Sequence, residues 1–171
     1  MSRQHAFDPY ALFEALDRER VSYVVVGGFA RVVHGSAETT DGLDIVPSLR
    51  EENLRRLARA LDELDAKGSD RKPVEVDRLS ASDALTTRTR AGELQIVPTP
   101  WGTRGYDDLR IRAARENLGR GARPAIASVV DCVRMLEAGD REPDVERLRR
   151  LRRMMELERQ RVPHRRLTIE R

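Results

Sequence analysis

The chain has 171 residues, a formal net charge of +3 and a single cysteine, Cys132. This length is typical of one domain with a substantial core, and one cysteine excludes a disulfide framework and a cysteine metal site. No apolar run reaches the length of a membrane span, and the N-terminus has no apolar signal region. We therefore expect one domain over residues 1–171, located in the cytoplasm and not attached to a membrane.

The first elements are a capped helix and a short apolar strand. Asp8 followed by Pro9 is a typical helix start, and apolar residues recur on one face of the predicted helix through about Arg20. The run Tyr23–Val26 is β-branched and apolar, and it ends at a pair of glycines. An apolar run of this length bounded by glycine predicts a buried strand.

The glycine pair begins the most informative part of the sequence. Gly27 and Gly28 allow a tight turn or the close approach of a ligand to the backbone. The apolar spacing that follows predicts a short helix ending at Gly35, and a second strand is predicted at 43–46. The order is therefore strand, glycine turn, helix and strand.

The rest of the chain alternates further strands and helices. Ser48 with Glu51 three residues later predicts a capping box for the next helix, and Ser128 is the predicted cap of a later one. A short helix is predicted from Tyr106, and a last helix over about 145–160 precedes a basic tail. The remaining predicted strands are 74–79, 85–90, 93–97 and 123–127. This alternation predicts an α/β fold.

The strand, the glycine pair and Asp44 on the next strand together resemble the nucleotidyltransferase superfamily. The resemblance is to small bacterial members related to minimal nucleotidyltransferases and to the toxins of some toxin–antitoxin pairs. It covers most of the chain between Tyr23 and Asp144 and is most specific in its first motif. It implies a nucleotidyltransferase-like mixed β-sheet, partly antiparallel, with helices packed mainly on one face.

The resemblance also implies roles for individual residues. Gly27 and Gly28 would lie along the phosphates of a nucleotide, and Ser36 and Arg141 occupy further nucleotide-binding positions of the pattern. Asp44 matches a carboxylate that is both catalytic and a ligand of divalent metal, expected to be Mg²⁺. An NTP is therefore the expected ligand, with RNA or a cognate protein as further possible partners.

The pattern departs from the family at the metal-binding carboxylates. Residues two apart on a strand point to the same face, so an Asp-x-Asp motif and a third carboxylate give Mg²⁺ its oxygen ligands. Here Gly42 stands at the first Asp position and Gln95 at the third. The helix lysine that would face phosphate is replaced by Leu136. Asp44 is the single matching carboxylate.

Two nearby acids are candidates to replace the missing ligands. Asp41 alternates to the opposite face of the strand, so it could help only if the backbone bulged at Gly42. Glu93 lies on the same face as Gln95, one pair away, and could partly compensate. Both alternatives stay open at this stage.

Two functional hypotheses follow. The first is a catalytically weak or inactive nucleotidyltransferase-fold protein that binds a nucleotide, an RNA or a protein partner. The alternative is an active metal-dependent enzyme of the toxin–antitoxin type, which moves a nucleotide from an NTP to tRNA or protein. The sequence favours the first, because phosphoryl chemistry depends on metal and positioning and two of three expected carboxylates are replaced. It does not define the oligomeric state.

Overall fold

The computed structural model describes residues 6–75, 79, 84–139 and 145–161. The helices are α1 (Pro9–Arg18), α2 (Gly27–Val33), α3 (Glu51–Glu63), α4 (Tyr106–Leu109), α5 (Val129–Ala138) and α6 (Val145–Arg161). The strands are β1 (Tyr23–Val26), β2 (Gly42–Pro47), β3 (Leu85–Thr89), β4 (Gly92–Ile96), β5 (Ala114–Arg115) and β6 (Ala125–Ile126). In this part of the chain, no helix is both long and apolar enough to cross a bilayer.

The strands form one mixed sheet in the order β3-β4-β2-β1-β6-β5. The β1–β2, β3–β4 and β5–β6 pairs are antiparallel, and the β1–β6 and β2–β4 pairs are parallel. The predicted α/β fold with a mixed sheet is confirmed. Strand β5 was not expected from the sequence.

The register of the central strands positions the residues singled out above. Val26, the last residue of β1, is paired with Asp44 on β2. On the other side of β2, Asp44 is paired with Gln95 and Gly42 with Glu93. The strand before the glycine pair and the strand carrying Asp44 are therefore neighbours.

The hydrophobic core packs against one face of β2 and β4, opposite to the face that carries Asp44 and Gln95. Leu43 and Ile45 on β2 and Leu94 and Ile96 on β4 are fully buried, whereas Asp44 and Gln95, which lie between them, are half-buried. This is the alternation expected of strands with one face against a core. Each such side chain contributes roughly 1.5–3 kcal/mol through burial. All four residues of β1 are buried, as its unbroken apolar run predicts.

The helix caps follow the sequence in two cases and depart from it in one. The Asp8 carboxylate accepts hydrogen bonds from the backbone N–H groups of Tyr10 and Ala11, and the Ser128 hydroxyl accepts one from Asp131. The predicted Ser48 cap is wrong: α3 begins at Glu51, and Arg50 occupies the cap position without a side-chain hydrogen bond.

The physical reason for that departure is the side chain of Asn53. Its Nδ2 donates to the carbonyl of Ser48 at 2.8 Å and to that of Ser22 at 3.0 Å, and its Oδ1 accepts from the N–H of Ser22 at 2.7 Å. Ser48 is buried and its own N–H donates to Ser22. Asn53 thus fixes the segments before β1 and after β2, and Ser48 lies one turn before the helix.

A smaller apolar cluster joins α5 and α6. Val129, Val133 and Leu151 are buried there, with Met154 and Met155 packed against them. This agrees with the predicted last helix.

Of the strand predicted at 74–79, Val74 and Glu75 lie outside regular secondary structure and 76–78 lie outside the described residues.

Candidate functional site

The backbone turns sharply where β1 meets α2, and the side chain of Asp44 fills the space beside this turn. Gly27 has a φ of +69°, a conformation that residues with a side chain rarely adopt. A Cβ atom built on Gly27 would lie only 2.1 Å from Oδ2 of Asp44. The carboxylate therefore lies directly against the Gly27 backbone, and glycine is required there for both conformation and space.

Asp44 is half-buried in this position. Its pKa is raised to about 6, mainly because burial disfavours the charged form; the positive charge of Arg31 opposes this rise and the negative charge of Glu93 adds to it. A carboxyl group with this pKa changes its charge close to physiological pH. Raised pKa values are a property that functional carboxylates share with some structural ones.

The residues around Asp44 on the sheet are an amide, a glycine and an exposed acid. Gln95 lies beside Asp44, and Glu93 lies beside Gly42 on the same face. A Cβ atom on Gly42 would lie 3.2 Å from the Glu93 carbonyl oxygen and 3.3 Å from its Cβ. An aspartate at position 42 would therefore press on β4 and require a shift of a few tenths of an ångström.

A charged cluster covers Gly28. The guanidinium of Arg31 donates two hydrogen bonds to Glu38, from Nε to Oε2 at 3.0 Å and from Nη2 to Oε1 at 2.8 Å. The Ser36 hydroxyl donates to Oε2 of the same carboxylate at 2.7 Å. A Cβ atom on Gly28 would lie 3.2 Å from Oε1 of Glu38. The carboxylate of Glu38 is thus bound by a cation and a hydroxyl directly beside the glycine turn.

The structure brings four of the predicted site residues into one region. Gly27 contacts Asp44, and Gly28 and Ser36 both lie at the carboxylate of Glu38. Arg141 lies outside the described residues. Sequence reasoning missed Arg31 and Glu38, although both lie within the first motif. Their pairing depends on the turn after α2, which no periodicity in the sequence encodes.

A magnesium site needs more carboxylates than this face of the sheet supplies. Mg²⁺ is usually held by carboxylates together with water and substrate phosphates. Among the described residues no group of three histidine, cysteine, aspartate or glutamate side chains is placed to hold a metal ion. In the part of the chain that the structure describes, the polar side chains that β4 places near Asp44 on this face are the amide of Gln95 and the exposed Glu93. These residues do not fit the three-carboxylate site that the family resemblance implies.

Comparisons with known proteins identify the fold. No protein-family model and no curated protein sequence matches the chain. The structure is similar to that of the antibiotic-resistance factor ANT(2'')-Ia, with 13% identity, a TM-score of 0.50, and coverage of 89% of this chain and 91% of that one. It is also similar to a Thermotoga maritima protein described as a nucleotidyltransferase, TM1012, with 15% identity, a TM-score of 0.53, and coverage of 94% and 98%. The chain has the nucleotidyltransferase fold.

Proposed function

We propose that this protein binds a nucleotide at the turn formed by Gly27 and Gly28, beside Asp44, and has little or no transferase activity. The observation that carries the proposal is the composition of the sheet face at the turn. Asp44 is half-buried there, with Gly42 and Gln95 at the positions where the family resemblance places two more carboxylates.

The proposed loss of activity follows from the chemistry of phosphoryl transfer. That reaction depends almost entirely on positioning and on electrostatic stabilisation of the transferred group. A single carboxylate leaves a divalent cation held mainly by water and substrate. Misplacing reacting groups by about 1 Å can reduce the rate on the order of a hundredfold. Gly42 and Gln95 together therefore favour binding over turnover.

Arg31 is the residue that supports nucleotide binding at this place. Its guanidinium lies beside Gly28, and its charge also acts on Asp44. Guanidinium groups bind phosphate through paired hydrogen bonds, and Arg31 already makes such a pair with the carboxylate of Glu38. A nucleotide phosphate would compete with Glu38 for Arg31, so we propose binding of moderate strength.

Calorimetric titration of the full chain with each NTP tests this proposal. We expect at least one NTP to bind with an affinity that changes by less than about threefold when Mg²⁺ is replaced by EDTA, because the site lacks metal ligands. Gly27→Ala should abolish binding, because a side chain at a φ of +69° strains the turn and its methyl group would fill the space beside the backbone that the phosphates must approach.

The matched control is Gly119→Ala. Gly119 has a φ of +88°, so alanine is strained there too, but the nearest neighbour of a Cβ atom built on it, the Tyr10 hydroxyl, is 3.9 Å away. Backbone strain should cost each variant about 1 kcal/mol of stability. Gly27→Ala should lose more than this because its methyl group collides with the Asp44 carboxylate, and only Gly27→Ala should lose the nucleotide. Binding that requires Mg²⁺, or binding of RNA or a protein but of no NTP, would contradict the proposal.

The second candidate is an active metal-dependent nucleotidyltransferase of the toxin–antitoxin type, with tRNA or a protein as acceptor. One observation favours it: Glu93 lies directly beside Gly42, and its negative charge acts on Asp44. In this case Glu93 would replace the carboxylate missing at position 42. The two candidates differ in whether the unmodified protein transfers a nucleotide.

A further inference from the structure

A cavity opens at the end of β1 opposite to Gly27, where the strand begins at Tyr23. We call it the arginine cavity, because Arg20, Arg110, Arg115 and Arg123 line it. Its volume is about 540 Å³, which lies within the range of roughly 300–1,000 Å³ typical of small-molecule sites. The loop between α1 and β1, the segment after α4, and the β5–β6 hairpin contribute to its walls. The chemically important lining residues are Asp17, Arg20, Tyr23, Arg110, Arg115 and Arg123.

The charged side chains of this lining are four arginines and one aspartate. Arg110 is paired with Asp107 at 2.9 Å. Among the residues that the structure describes, the guanidinium groups of Arg20, Arg115 and Arg123 make no ion pair within 4.0 Å. Nη1 of Arg115 donates to the carbonyl oxygen of Arg123 at 3.2 Å, which holds this guanidinium at the cavity. The lining therefore has an excess of positive charge that is not neutralised by pairing.

The hydroxyl group of Tyr23 is an unsatisfied polar group at the same place. Tyr23 is only 6% exposed, and its hydroxyl has no hydrogen-bond partner among the described residues. Burial raises its pKa; the charge of Asp17 adds to this rise and that of Arg115 opposes it. All three residues line the cavity. A buried hydroxyl without a partner destabilises a fold, so a hydrogen-bond acceptor brought to it by a ligand would stabilise it.

We propose that the arginine cavity binds the phosphate group of a phosphate ester. Arg115 and Arg123 would bind the phosphate oxygens through charge-assisted hydrogen bonds, and the Tyr23 hydroxyl would donate a further one. The volume allows for a mononucleotide or for one nucleotide unit of an RNA strand. This site lies at the opposite end of β1 from Gly27 and does not depend on the nucleotide site proposed above.

The test is a residue-resolved NMR titration of the full chain with three probes: inorganic phosphate, AMP and a short oligoribonucleotide. We expect backbone signals of residues 20–24 and 121–125 to shift with each probe. Stronger binding of AMP than of the oligoribonucleotide would identify a free nucleotide as the source of the phosphate, and the reverse order would identify an RNA backbone. Shifts confined to Gly27 and Gly28, or no shift with any probe, would overturn the proposal.

Variants separate ligand binding from folding. Tyr23→Phe removes only an unpaired hydroxyl, so the fold should be at least as stable as before, while phosphate affinity should fall about fivefold. The double variant Arg115→Ala, Arg123→Ala should lower phosphate affinity by about tenfold or more. The matched control is Arg88→Ala, an exposed residue on strand β3 at the far edge of the sheet. An equal loss in Arg88→Ala, or unchanged affinity in Tyr23→Phe and in the double variant, would refute the assignment.

Discussion

Replacing Glu38 by alanine is expected to lower the free energy of unfolding by about 3 kcal/mol. The Arg31 and Glu38 side chains are only 14% and 13% exposed, and removing one partner of a buried ion pair costs about 3–5 kcal/mol because the other charge is left uncompensated. The Ser36 hydroxyl would lose its acceptor as well. Chemical denaturation of both proteins at neutral pH measures the effect.

The same variant should bind NTPs more tightly, because a carboxylate is removed from beside Gly28 and Arg31 becomes available for phosphate. Stability and affinity are therefore expected to change in opposite directions. The matched control is Glu14→Ala, which breaks an exposed pair with Arg18 and should cost at most about 0.5 kcal/mol without changing affinity. A Glu38→Ala protein as stable as wild type, or one that binds NTPs less well, would contradict this interpretation of the cluster.

Replacing Asp44 by asparagine should stabilise the protein above pH 6 and lose this advantage in acid. The pKa of Asp44 is about 6 in the folded protein, above its ordinary value of 3.8. The folded state therefore holds the proton more tightly than the unfolded chain. The stabilisation from this proton is complete below about pH 4 and is lost as the pH rises through 6. Asparagine carries no charge at any pH and avoids that loss.

We subtract the unfolding free energy of wild type from that of Asp44→Asn. This difference should be about 2 kcal/mol larger at pH 8 than at pH 4, because the pKa of Asp44 is raised from 3.8 to about 6 and each pKa unit corresponds to about 1.4 kcal/mol. Denaturation curves at several pH values measure this difference. Asp41→Asn, which removes an exposed carboxylate three residues away, should follow the wild-type profile. A constant difference between Asp44→Asn and wild type across this pH range would show that the Asp44 carboxyl is not shifted by its surroundings.

The central part of the fold was predictable because local signals and tertiary packing agree there. The run Tyr23–Val26 is apolar at every position, and all four residues are buried in the sheet. The Asp8 cap and the strands predicted at 43–46 and 93–97 also agree with the structure. Strand β5 was missed because Ala114 and Arg115 are exposed and owe their conformation only to backbone pairing with β6.

The positions of Gly27, Gly28 and Asp44 in the site were predictable from the sequence, whereas the ion pair between Arg31 and Glu38 was not. The proximity of Gly27 to Asp44 follows from the order of strand, turn and strand, together with antiparallel pairing that places Val26 beside Asp44. The pairing of Arg31 with Glu38 depends on how the chain folds back after α2, and the sequence contains no signal for it. The arginine cavity likewise assembles residues from three distant segments.

The central claim is that the protein has the nucleotidyltransferase fold with little transfer activity, and label transfer tests it most directly. The unmodified protein, the Gly42→Asp, Gln95→Asp double variant and a Gly42→Asn, Gln95→Asn control are incubated with Mg²⁺, labelled NTPs and bulk tRNA. The asparagine control matches the crowding of position 42 against Glu93 without supplying charge. Transfer by the aspartate variant alone would indicate that the rest of the site is intact.

We predict no label transfer by the unmodified protein above that of a reaction without protein. Label transfer by the aspartate variant is expected to exceed that of the unmodified protein by about a hundredfold, because the added carboxylates fix the metal and the reacting groups in position. Strong transfer by the unmodified protein that disappears in Glu93→Gln would contradict the account and establish the active alternative, with Glu93 in place of the carboxylate missing at position 42.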